Sequence, residues 1–393
     1  EGAAARRSAG SSHMNKPLTY EEYQEKLKSV STPEEAQALV QQMLMPMLGA
    51  FAQPSPSAET EEEDDEEDEA LPRKAAYKPS KKSLDSAPWY DALGNDTDAM
   101  VVSLYAKGLT TRDIAKYMNL HHGTELSQPA ISAITEKVMP FAKEWQSRAL
   151  SSCYPVVYLD GLHFKVRDAG KIVSKCAYIV LGINQYGQKE VLGIWISESE
   201  GAKFWMGVLN ELKNRGVEDI IIACVDGLKG FPEAIKTIYP QAEVQLCIAH
   251  QIRHTVMFLP HKDRKAFCDS LKTVYTAPSE DAGRDALNAL AERWPQYSSY
   301  LKSWENNWQD LATFFSYPQP IRRMIYTTNP IENLNRQFRK VTKTTTIFPH
   351  DDSLIKLLWL AQADISQAWI LPLRNWGEIM AQLSILFPER VQF

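Results

Sequence analysis

The chain has 393 residues, 44% of them hydrophobic and 23% charged, enough for a sizeable core and two or three domains. No stretch approaches the ~20 uninterrupted apolar residues that a membrane-spanning helix requires, which excludes such a span. The formal charge of −6 is an average. Ten of the 49 acidic residues lie between Glu59 and Glu69, and the remaining 39 face 43 basic ones, a net +4, so local charge is the better guide to partners.

Residues 1–13 carry no apolar signal core and read as a cloning remnant ahead of a natural start at Met14. Five cysteines (Cys153, Cys176, Cys224, Cys247 and Cys268) are an odd, widely spread set. They argue against a disulfide scaffold and for a reducing, cytoplasmic setting. Within residues 14–52, Thr32-Pro33-Glu34-Glu35 opens an amphipathic helix with Leu39, Val40, Met43, Leu44 and Met47 at helical spacing. Its apolar stripe is expected to serve self-association rather than packing on its own chain. Residues 53–95 combine proline, serine, the acidic tract and Lys78, Lys81 and Lys82, with few large apolar residues, and are read as a disordered linker.

The pattern turns helical over residues 96–150. Met100, Val101, Leu104 and Tyr105 are followed by Thr111 to Leu120, and Ser127-Gln128-Pro129 then opens a second helix. That helix turns Ile131, Ile134 and Val138 inward and leaves Gln128, Ser132, Thr135 and Lys137 outward. The order suggests a helix-turn-helix whose second helix contacts DNA in a major groove. An ordinary helical hairpin is the plain alternative, because the link from Asn119 to Leu126 is long for such a turn.

Residues 151–250 read as α/β: strands at Val156 to Leu159, Lys175 to Ile183, Glu190 to Ile196, Asp219 to Val225 and Ala242 to Cys247, with helices at Phe204 to Asn214 and Phe231 to Tyr239. Trp205 is read as a core aromatic rather than a platform for a stacked base. Strand signals vanish over residues 251–325, predicting an all-helical insertion, and residues 326–393 add helices from Asn329 and from Leu354.

Three acids sit at strand ends or helix starts: Asp160, Asp226 and Glu332. Asp160 and Asp226 each end an apolar run and precede a glycine, so both are expected to leave a sheet through a tight turn. On neighbouring strands, two such carboxylates suit a hard divalent cation, and a third completes a two-metal site for phosphoryl displacement. By spacing alone, Asp-Gly after a strand is more often simply a turn.

Four stretches change the balance. They are Tyr158-Leu159-Asp160-Gly161-Leu162-His163, Val225-Asp226-Gly227-Leu228-Lys229-Gly230-Phe231-Pro232, Gln245-Leu246-Cys247-Ile248-Ala249-His250 and Tyr326-Thr327-Thr328-Asn329-Pro330-Ile331-Glu332-Asn333-Leu334-Asn335-Arg336. In order and spacing they resemble the Mutator-like family of bacterial insertion-sequence transposases, from about Leu104 to the end of the chain. The resemblance implies a ribonuclease-H-like core interrupted by an all-α insertion. It implies Asp160, Asp226 and Glu332 as a triad holding two Mg2+ ions, with Mn2+ substituting. It further implies double-stranded DNA partners, namely terminal inverted repeats and target DNA. Copy-out/paste-in transposition through a circular intermediate and a homodimer on DNA belong to the same expectation.

Cys247 and His250 are expected to support the active site. With His254 they also invite a zinc reading, for which no fourth ligand stands at a recognised spacing. Arg322, Arg323, Arg336, Arg339, Lys340 and Lys343 stand against Glu332 alone between Arg322 and Lys343, a local charge of +5. With Asn335, they are the expected phosphate contacts, and Arg253, Lys165 and Arg167 are further candidates. Two other functions share these residues: a transposase-derived DNA-binding protein without catalysis, and a metal-dependent nuclease without strand transfer.

Overall fold

Local signals start the first helices. Asn95, Thr110 and Ser127 stand in extended backbone, and their side chains accept the N–H of Asp98, Asp113 and Ala130. They open α1 (Asp96–Ala106), α2 (Thr111–His122) and α3 (Gln128–Glu136), and α4 (Met139–Ser147) follows. The computed structural model describes residues 93–391 apart from 199–200, 228–229 and 327–328, all within the compact unit Tyr77–Phe393. The leader, the helix expected near residues 33–48 with its self-association, and the linker as far as residue 92 lie outside the described residues.

After α4 the period changes to that of strands. β1 (Cys153–Asp168), β2 (Lys171–Ile183) and β3 (Lys189–Ser197) form an antiparallel meander. β4 (Asp219–Val225) pairs parallel with β1, and β5 (Glu243–Leu246) parallel with β4, giving the order β3-β2-β1-β4-β5. α5 (Ala202–Asn214) leads into β4 and α6 (Phe231–Ile238) into β5. Ile220 to Val225 are buried without alternation, as a strand covered on both faces requires. Trp205 of α5 is a core residue: it stacks on Phe231 at 3.9 Å and meets Tyr178 edge-on at 4.8 Å.

Gly161 is not a turn glycine. Pairing of β1 with β4 stops at Leu159–Val225, but pairing with β2 continues to Asp168–Lys171, so the strand runs straight through Asp160 and Gly161. Glycine stands there because a Cβ would lie 2.6 Å from the Cys176 sulfur on β2. Apolar patterning ended this strand early because beyond Gly161 buried Leu162 and Val166 alternate with exposed His163, Lys165 and Arg167, and Phe348 takes the place of β4 along its other edge.

From Ile248 to Tyr326 the described residues form helices and no strand: α7 (Ile248–Val256), α8 (His261–Tyr275), α9 (Glu280–Arg293), α10 (Ser298–Asn306), α11 (Trp308–Leu311) and α12 (Gln319–Tyr326), joined by short 3₁₀ turns. Side-chain hydrogen bonds tie them to the sheet. Gln245 of β5 donates to the Leu311 carbonyl at 2.9 Å, and the Tyr158 hydroxyl of β1 donates to the Met324 carbonyl at 2.9 Å. Three helices close the chain: α13 (Asn329–Thr342), α14 (Asp351–Ser366) and α15 (Trp376–Leu386). α13 buries Ile331, Leu334 and Phe338, one face at helical spacing, and exposes Arg336, Arg339 and Lys340, with Lys343 exposed in the turn just past its end.

Two expectations for α3 divide. Gln128, Ser132 and Lys137 are exposed, the last paired with Asp98 at 2.5 Å. Thr135 is buried. It donates to the Ser132 carbonyl at 2.9 Å and accepts from the Lys356 ammonium at 3.1 Å, because α14 covers that side of α3. Periodicity within α3 cannot report a helix packed on it from 221 residues away.

The helical cluster also touches α13 directly. Gly108, just after α1, has φ +82°, and a Cβ there would lie 2.1 Å from the Val341 carbonyl oxygen. Gly108→Ala is expected to cost at least about 2 kcal/mol, read as a lower urea midpoint. An unchanged midpoint would show that α1 and α13 are not held at this approach.

Candidate active site

The sheet delivers its acids at one end. Asp160 stands one residue past the last β1–β4 pair, and Asp226 follows β4 immediately, so parallel pairing of the two strands brings the carboxylates together. Asp160 is 7% exposed. Its Oδ1 accepts the Gly161 N–H at 2.8 Å, and its Oδ2 accepts from the Asn335 amide at 2.6 Å. Asp226 is half-buried and accepts the Gly227 N–H at 2.6 Å.

Helices supply the rest. Cys247, directly after β5, caps α7 with its sulfur, which accepts the His250 N–H at 3.4 Å. His250 places Nε2 3.8 Å from Asp160 Oδ1. Glu332, in the first turn of α13, is ion-paired with Arg253 of α7. Ligand atoms of Asp160, Asp226 and His250 lie within 4.8 Å of one another, and so do those of Cys247, His250 and Glu332. The three acids named from sequence therefore share a neighbourhood, with His250 at the joint between two tighter groups.

The electrostatics follow from burial and crowding. Burial pushes the Asp160 carboxyl above its usual range; His250 and the Gly161 N–H oppose this, while Asp226 and Glu332 add to it. For His250, burial works against the charged form, but Cys247, Asp160 and Asp226 outweigh it and hold the imidazole at about 9. A buried acid ringed by other acids, its oxygens turned to one end of a sheet, is the donor chemistry that hard divalent cations take. Asp160 and Asp226 fit such an ion as they stand. Glu332 fits on the condition that it exchanges Arg253 for the metal.

Several expected roles shift. Asn335, taken from the sequence as a DNA contact, is 1% exposed and is a hydrogen-bond donor to Asp160. Its place three residues after Glu332 on the same helix was the available signal. Arg253, also expected on DNA, faces Glu332. Arg322 is buried and leaves the expected DNA surface altogether. It donates to the carbonyls of Phe315 at 3.0 Å, Tyr317 at 3.3 Å and Ala277 at 3.4 Å, and its guanidinium lies over the Phe315 ring at 5.3 Å. A guanidinium has five donors to satisfy, and the turn after α11 supplies carbonyls for them. Arg323 is exposed. His254 packs edge-on against Phe258 at 5.6 Å and belongs to neither ligand group.

Residues 89–371 match the family model described as transposase, Mutator family. The chain belongs to this family. The transposase for insertion sequence element ISRM3 of Rhizobium meliloti (strain 1021) is 43% identical over 297 residues, covering 75% of this chain and 74% of that one. The transposase for IS905 of Lactococcus lactis subsp. lactis is 33% identical over 272 residues, 69% of each chain. That for IS256 in transposon Tn4001 of Staphylococcus aureus is 29% identical over 282 residues, 71% of this chain and 72% of that one. A solved structure, the Drosophila P element transposase strand transfer complex, aligns with 76% of this chain and 82% of that chain at a TM-score of 0.30 and 10% identity. This Mutator-family protein is thus an insertion-sequence transposase, an enzyme class that acts on DNA, and none of its described helices is long and apolar enough to cross a membrane.

A carboxyl whose pKa is raised by folding costs stability wherever it is ionised. Asp160→Asn is therefore expected to raise the melting temperature of the metal-free protein at neutral pH. A lower melting temperature would show that the ionised carboxylate is a net stabilising group.

Proposed function

We propose that this transposase cuts DNA at the terminal inverted repeats of its insertion sequence and joins the freed 3′ end to target DNA, with Asp160, Asp226 and Glu332 as catalytic carboxylates. The observation that carries the proposal is the meeting of Asp160 and Asp226 at the ends of paired β1 and β4, beside a helix that presents Glu332. The five-stranded mixed sheet supports a ribonuclease-H-like core, with the helices from Ile248 to Tyr326 as its insertion.

Asp160 and Asp226 would hold one Mg2+, and Glu332 would reach a second; Mn2+ would substitute. When bound, such ions activate water and stabilise the leaving oxygen of an in-line displacement. The chain's own residues do the remainder. Gly161 N–H and Asn335 fix both oxygens of Asp160, so the carboxylate keeps one orientation. His250 stands where it can hydrogen-bond a carboxylate or an incoming phosphate. Arg253 brings the positive charge that a phosphate would share with Glu332.

DNA is proposed to lie along the exposed face of α13 and the turn just past its end, where Arg336, Arg339, Lys340 and Lys343 recur at three- and four-residue spacing. Arg323 and the exposed Gln128, Ser132 and Lys137 of a helix-turn-helix formed by α2 and α3 would add contacts. A homodimer bridging two element ends and copy-out/paste-in transposition through a circular intermediate complete the proposal, with the cytoplasm as the setting.

On a labelled duplex carrying the element end, Mg2+ should support a nick at the boundary and a joined product, both lost in EDTA. Asp160→Asn, Asp226→Asn and Glu332→Gln are each expected to lower cleavage at least about 10³-fold while end binding persists. A mutant that nicks at the wild-type rate removes its residue from the triad; binding without cutting by the wild type would favour the non-catalytic reading. Arg336→Ala with Lys340→Ala should flatten the log–log salt dependence of DNA binding by about two phosphate contacts. An unchanged slope takes α13 out of the interface.

A further inference from the structure

We propose that Cys247, His250 and Glu332 form a second metal site, one that takes Zn2+ and, when filled, withholds Glu332 from the oxygen-lined site beside it. The withholding rests on the catalytic role proposed for Glu332; the site itself does not.

One ligand atom from each of the three residues lies within 4.8 Å of the others, and of the two such groups among the described residues this one contains sulfur. Thiolate, imidazole and a single carboxylate make the donor set that zinc prefers, whereas Mg2+ is selected by oxygen. Three protein ligands leave a fourth position for water.

The local structure suits a charged sulfur. Cys247 is buried at the start of α7, and the His250 N–H points at Sγ from 3.4 Å, so the positive end of a nine-residue helix faces the atom that a metal would hold as thiolate. The His250 imidazole is half-buried with its ring against the Cys247 side chain, so a ring nitrogen and the sulfur already stand in the same place. Glu332 is held by Arg253, whose side chain is 57% exposed, and water weakens such a pair against a competing metal. His250 belongs to both groups. Filling the sulfur-containing group therefore draws on both the histidine and the glutamate next to Asp160.

Co2+ reports such a site without any assay of activity, because a cobalt–thiolate bond gives an intense near-ultraviolet charge-transfer band that oxygen and nitrogen ligands do not. Titrating the reduced, metal-free full chain with Co2+ should raise this band to one equivalent, and Zn2+ should abolish it. The band should vanish in Cys247→Ser and persist in Cys268→Ser. Serine is itself a good helix cap, so α7 is kept in the first variant, and its melting curve checks this. Glu332→Gln should retain the band with Co2+ affinity lowered about tenfold or more. Absence of the band at saturating Co2+, or its survival in Cys247→Ser, overturns the site. In the second arm, one equivalent of Zn2+ should abolish Mg2+-driven end cleavage. A cobalt band without this inhibition would leave the site standing and overturn the withholding, while cleavage by Glu332→Gln at the wild-type rate would separately overturn the catalytic role on which the withholding rests.

Discussion

Negative charge gathered around one buried carboxylate is the constraint that orders this molecule. Asp160 is nearly sealed from water, yet Asp226 and Glu332 stand close enough to push its pKa further up. An isolated chain would separate these groups. They stay together because each is fixed by an element with its own reason to be there: β1 and β4 by parallel pairing inside an apolar core, α13 by three buried side chains. Backbone N–H groups of Gly161 and Gly227, the Asn335 amide and the Arg253 guanidinium then meet the oxygens.

The helical segment between β5 and α13 contributes to that arrangement as well. It starts at Cys247, whose sulfur caps the helix that carries both His250 and Arg253, and it ends against the sheet through the Tyr158 hydroxyl. Buried Arg322 gathers the carbonyls of the turn between α11 and α12. The position of Glu332 is thus set from two directions, by its own helix and by the arginine of α7 that faces it.

The parts legible in the sequence are those governed by local rules. Strand β4 reads as six consecutive apolar residues, and the cap Ser127 marks the start of α3. Asp226 could be placed because the strand ends where its apolar run ends. The same rule ended β1 too soon, since beyond Asp160 the strand alternates buried Leu162 and Val166 with exposed His163, Lys165 and Arg167 and no longer forms a continuous apolar run. Thr135, Arg322 and Asn335 were assigned by residue type and helical spacing to outward faces. Thr135 and Asn335 are buried against elements distant in the chain and Arg322 against the turn that precedes its own helix, and no period within a single helix carries that information. Among the cations, those of α13 kept their exposure because the buried side of that helix is complete without them.

Helix α14 has two apolar faces and belongs to two cores. Leu354, Leu357, Leu358 and Ala361 pack with the sheet, while Trp359, Leu360 and Ala363 pack with α1 to α4. Lys356, between them, reaches both Thr135 and Glu136 on α3. A module that shares a helix in this way cannot be exchanged as a cassette. On the DNA contacts proposed for α2 and α3, a change of end specificity would have to come by substitution at exposed positions around a helix that the sheet also depends on, and not by exchange of α1 to α4 as a domain.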